Sequence, residues 1–124
     1  MDDLVQWLRA QLDEDERIAR RAGDSFRQIG ETGVIVVTEG DRAEECASAN
    51  WAGIAEHIVR HDPARVLREV EATRRLIRAH AKWCEGRCEA KFPEGGFDAA
   101  HFWNIKVRAE VYADHPGYRD DWRP

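Results

Sequence analysis

The sequence predicts an α+β domain dominated by helices, with about four of them around a short β-hairpin. Three observations carry this. Apolar residues recur at three- and four-residue spacing in several stretches, the mark of amphipathic helices. One β-rich segment is broken by Gly30-Glu31-Thr32-Gly33, which is turn chemistry. At 124 residues the chain reads as a single compact domain with a genuine though modest core.

Residues 3–22 predict the first helix. Leu4, Val5, Leu8, Leu12, Ala19 and Ala22 share one face, with Trp7 and Ile18 at its edge. Asp2 or Asp3 caps its start and Gly23 follows its end. Asp13–Arg17 and Glu16–Arg20 stand in the favourable i,i+4 order. Asp15 breaks the pattern, because it projects near the middle of the apolar face. It is either solvated there or held by a cation, since an unpaired buried carboxylate is costly.

Residues 26–38 predict the hairpin, with strands Phe26–Ile29 and Val34–Thr38. Gly40-Asp41 ends it, and Asp41 with Glu44 has the spacing of a capping box opening a helix over 43–60. Trp51, Ile54 and Ile58 share a face of that helix with Ala47 and Ala55. His61-Asp62-Pro63 is a corner. Asp62 is a strong N-cap residue, and Pro63 suits the first helical position.

The helix over 63–84 has the cleanest pattern. Val66, Val70, Thr73, Ile77, His80, Ala81 and Cys84 form its core-facing stripe. Arg68, Arg75, Arg78 and Lys82 fall on the opposite side, with Glu71 among them. Residues 85–97 read as a loop. Asp98 caps a last helix over 99–112, where Phe102, Ile105, Ala109 and Tyr112 form the stripe and Trp103 lies alongside. The tail 113–124 carries Tyr118 and Trp122, and is expected to dock on the body.

Composition narrows the classes. The chain is 43% hydrophobic and 35% charged, with a net charge of −5. No run approaches the ~20 apolar residues of a membrane span. Met1-Asp2-Asp3-Leu4 lacks the basic region and apolar run of a signal peptide. The expected location is the cytoplasm. Three cysteines argue against a disulfide framework. Five tryptophans anchor either a core or an interface.

His80, Cys84, Cys88 and His101 form the one coherent candidate metal set, and zinc is the ion their chemistry suits. His57 and His61 share the i,i+4 spacing but lie about 28 Å from His80 along an extended helix. The competing account makes Cys84 a core thiol, His80 a satisfied histidine and Cys88 a loop residue. The basic residues Arg68, Arg75, Arg78 and Lys82 form a solvated face or a contact for phosphates. The net charge and Glu71 weigh against nucleic acid. No P-loop, dinucleotide fingerprint, nucleophile elbow or H-E-x-x-H helix is present.

The run from His57 to Arg75, the ending Tyr112–Pro124, and the opening Met1–Ala10 with the acidic stretch Leu12–Glu16 are distinctive. Together they resemble a family of small proteins of unknown function found in actinobacteria, mainly Streptomyces, and in their phages. The resemblance implies a source and a fold lineage, and its phage members suggest a regulator. It carries no catalytic residues over. The expected function is therefore a non-enzymatic protein-interaction or regulatory domain that binds another protein or itself, through the hairpin or through exposed Trp. A zinc-stabilised module on His80, Cys84, Cys88 and His101 is the alternative, and a nucleic-acid-associated protein using the basic helix face is the second.

Overall fold

The computed structural model describes residues 2–83 and 96–124. The chain is helix-rich α+β with a three-stranded antiparallel sheet. In order it forms α1 (Asp2–Arg21), β1 (Ser25–Gln28), β2 (Val34–Glu39), β3 (Arg42–Ser48), α2 (Ala52–Arg60), α3 (Pro63–Trp83) and α4 (Phe97–Glu110), and a 3-10 turn at Asp120–Trp122 follows. Contacts group these residues into two units, one of residues 14–70 and one of residues 1–13 with 71–124.

The unit of residues 14–70 holds the sheet. β2 is its central strand, pairing Phe26 with Val37 on one side and Val37 with Glu44 on the other. That position explains the unbroken apolar run of β2. Ile35 and Val36 point to opposite faces, and both are buried. The amide of Ile29 donates to the Val34 carbonyl at 3.1 Å and closes the first turn. Gly33 has no room for a side chain there, since a Cβ would lie 2.0 Å from the Ala49 carbonyl oxygen.

The expectation of a two-stranded hairpin and a helix over 43–60 is corrected here. Residues 42–48 form the third strand, and α2 begins only at Ala52. Glu39 pairs with Arg42, so Gly40-Asp41 is a two-residue hairpin loop, with Gly40 at φ +61°. Glu44 lies in β3, where it accepts a hydrogen bond from Arg42 at 2.6 Å and opens no helix. The alanines and glutamates of 42–48 favour helix locally. Pairing with β2 outweighs that preference, as tertiary context commonly does in strands. The register slips between Ile35 and Val36, leaving Cys46 as the extra residue of a bulge, its thiol donating to the Ile35 carbonyl at 3.5 Å.

The unit of residues 1–13 and 71–124 has a core of Leu4, Leu8, Leu12, Ile77, Ile105 and Ala109. The tail docks in this unit through Trp7. The ring of Trp7 lies 5.4 Å from Trp122 and 5.6 Å from Tyr118, and its Nε1 donates to the Pro116 carbonyl at 3.1 Å. Gly117 turns the chain at φ +91°, directly against Trp7. Arg119 lies over the Trp122 ring and Arg123 over Tyr118. α4 opens at Phe97 with Gly96 in the capping position, earlier than the expected Asp98 cap. Of the acidic residues in α1, Asp13 turns away from Arg17 and accepts from Arg74 at 2.8 Å, while Arg17 bonds Glu14. Asp15 is half-buried and partnered.

Candidate functional site

α4 departs from the usual amphipathic design. Its inward side buries Ala99, Phe102, Ile105 and Ala109, but it also buries His101 and Lys106. The Lys106 ammonium lies 5.3 Å from the centre of the Phe102 ring, and Arg108 donates to the buried Thr73 hydroxyl at 3.1 Å. The outward side carries Trp103, Val107 and Val111, which are 44%, 39% and 63% exposed. These three stand four residues apart and so lie one above another on a single face. Asn104 and Glu110 are exposed beside them. A helix that turns a histidine and a lysine inward and three large apolar groups outward is poorly suited to water on that face. Large apolar side chains grouped on one exposed face are less common than single scattered ones.

The sequence places Trp103 beside the helix stripe, but the face it belongs to does not follow from that stripe. The signal was the run Trp103, Val107, Val111, which continues the apolar character of α4 around its far side. Among the tryptophans whose side chains are described, Trp51 is also widely exposed, at 64%, just before α2, on which Ile58 is 37% exposed. Trp7 and Trp122 serve the tail cluster.

The candidate metal residues are only partly within view. His80 and His101 are both buried, and their rings stack with centroids 5.8 Å apart. Cys84 and Cys88 lie outside the described residues. Among the described residues no three His, Cys, Asp or Glu side chains gather as a metal site. Burial holds His80 below the ordinary histidine value, and the charges of His101 and Arg9 add to this against the opposing pull of Asp2.

That shift predicts a pH dependence. The unfolded chain takes up the His80 proton as pH falls through about 6.5, before the folded chain does. Stability is therefore complete above that pH and is lost as pH falls toward the lower folded value. Thermal melting between pH 7.5 and 5.5 should show the decline in the wild type and a flatter profile in His80→Phe. Equal slopes would exclude His80 as the source.

Arg68, Arg75, Arg78 and Lys82 are all exposed along α3. Glu71 receives Arg78 at 2.7 Å and Arg75 at 3.7 Å, so the stripe is internally compensated. The Arg78 guanidinium, hydrogen-bonded to Glu71, holds that carboxyl below its usual range. At the corner, Asp62 accepts the Arg65 amide at 3.0 Å through Oδ1 and the Phe26 amide at 3.1 Å through Oδ2. One carboxylate thus caps α3 and holds the edge of β1. His61 Nδ1 donates to the His57 carbonyl at 2.8 Å, and the two imidazoles lie 4.5 Å apart. Pro63 is buried at the first position of α3.

Comparison with known proteins adds lineage. The model described as "Family of unknown function (DUF6221)" matches residues 1–124. No curated protein and no solved structure matches the chain. No helix among the described residues is long and apolar enough to cross a membrane.

Proposed function

Because the chain belongs to that family of unknown function, whose description supplies no activity, we propose from its own geometry that it is a non-enzymatic interaction protein working through the outer face of α4. The observation that carries this is the exposed file of Trp103, Val107 and Val111 on a helix that buries His101 and Lys106. The partner is a second copy of the chain.

Self-complementarity of the face supports that choice. An antiparallel copy of α4 centred on Val107 sets Trp103 opposite Val111 and Val107 opposite itself. Asn104 and Glu110 are exposed on the two flanks of the file, where they stay in contact with water. The apolar groups supply the burial, with the polar flanks as the rim.

Sedimentation velocity tests it. The wild type should run at twice the 14.3 kDa chain mass as concentration rises. Val107→Glu places two like charges face to face on the axis, which costs several kcal/mol, and should run as a monomer with an unchanged circular dichroism spectrum. A wild type that stays monomeric at high concentration sinks the proposal, as does a dimer that survives Val107→Glu.

A further inference from the structure

The unit of residues 1–13 and 71–124 contains a cavity of about 210 Å³ lined by Arg9, Asp13, Arg74, Ile77 and Arg78. Three arginines from two helices line it, in a chain whose net charge is −5. Two of them are already held in place. Arg74 donates to Asp13 at 2.8 Å, and Arg78 donates to Glu71 at 2.7 Å. The third, Arg9, has no carboxylate partner among the described residues. Ile77 is buried at the base of the site and lowers the polarity behind the charges.

Asp13 thus faces Arg74 and Glu71 faces Arg78, while Arg9 stands without a carboxylate partner among the described residues. The two ion pairs also fix the direction of Arg74 and Arg78, so less side-chain freedom is lost when a ligand arrives. Guanidinium groups present paired N–H donors that match the oxygens of a phosphate or carboxylate. The volume limits the ligand to a small molecule. It is too small for a folded partner, and one arginine without a carboxylate partner does not make a track for a nucleic-acid backbone.

We propose that Arg9, Arg74 and Arg78 form a binding site for a small phosphate-bearing anion, with Ile77 as its floor and Asp13 and Glu71 as the groups that aim the arginines. This site uses other residues than the α4 face and stands independently of self-association. A diphosphate fills the cavity better than orthophosphate and reaches more of the donors.

Isothermal titration with sodium pyrophosphate and with orthophosphate tests it. Pyrophosphate should bind saturably at one site per chain and more tightly than orthophosphate. Arg9→Ala should weaken it by at least about tenfold, the effect of losing one charge-assisted contact. Arg9→Lys should restore part of the loss, because the charge returns without the paired donors. Arg68→Ala, an exposed arginine outside the cavity, should change nothing. Amide shift mapping on the wild type should place the perturbation around residues 9, 74, 77 and 78. The proposal is overturned by an absence of saturation with either anion, by equal binding in Arg9→Ala, or by shifts centred elsewhere. A short DNA duplex that binds more tightly than pyrophosphate also overturns it.

Discussion

Trp122→Ala should lower the unfolding free energy by about 3–5 kcal/mol, the range for deleting a buried aromatic side chain. Trp122 is buried and lies 5.4 Å from the Trp7 ring and 5.8 Å from the Tyr118 ring, with the Arg119 guanidinium over its own. Its removal leaves a cavity that Trp7 and Tyr118 would have to fill. They are not free to do so. Trp7 is held by its bond to the Pro116 carbonyl and abuts Gly117. Denaturant unfolding followed by circular dichroism measures the loss. Trp51→Ala is the matched control, because that ring is 64% exposed and its removal should cost no more than about 0.5 kcal/mol. Similar midpoints for the two variants would contradict the packing described for the tail.

Asp62→Ala should cost about 1.5–5 kcal/mol, which is large for a residue that is only half-buried. The sum has two parts. Loss of the N-cap bond to Arg65 accounts for about 0.5–2 kcal/mol. Loss of the acceptor for the Phe26 amide leaves a part-buried N–H unmatched, which costs about 1–3 kcal/mol. Asp62→Asn separates them. Its one carbonyl oxygen can still cap α3, but its amide nitrogen cannot accept from Phe26. Denaturant midpoints should therefore rank wild type above Asp62→Asn above Asp62→Ala. If the two variants fall together, the β1 contact adds no stability and Asp62 is a helix cap alone.

Asp62 also shows how far the chain could be read without its structure. Its role at the start of α3 was visible, because an acidic residue before a proline and an apolar periodic run is a local signal. Its hold on Phe26 was not, because the two residues are far apart in sequence and nothing local to either marks the bond. The same division runs through the sheet. Gly40-Asp41 carried a two-residue hairpin signal, but Arg42–Ser48 contains no β-branched or aromatic residue to answer it. Ala43, Glu44 and Ala47 read as helix until β2 is there to pair with them.

For the candidate site the limits were different. The arginines of α3 were legible as a stripe, yet the ones that share a cavity are Arg74 and Arg78 with Arg9 from α1. Arg9 could not be joined to them from spacing within either helix. Asp13 likewise reads as a partner for Arg17 one turn on, and instead reaches Arg74. Which of several nearby cations a carboxylate takes is settled by how helices meet.

The sequence by itself determined the α+β class, the apolar stripes of α1 and α3, and the turn chemistry at Gly30–Gly33, Gly40 and the Asp62 corner. These are interactions within a turn or two of chain, so periodicity and capping suffice to specify them. Only the tertiary structure decided that 42–48 is a strand, that Arg9 joins Arg74 and Arg78, and that Trp103, Val107 and Val111 face outward while His101 and Lys106 face inward. The buried stripe Phe102, Ile105, Ala109 and Tyr112 is legible from its spacing, but α4 carries further apolar residues beyond that stripe, and spacing alone does not say that these stay exposed. That choice falls to the neighbouring side chains, which bury one face of the helix and leave Trp103, Val107 and Val111 exposed.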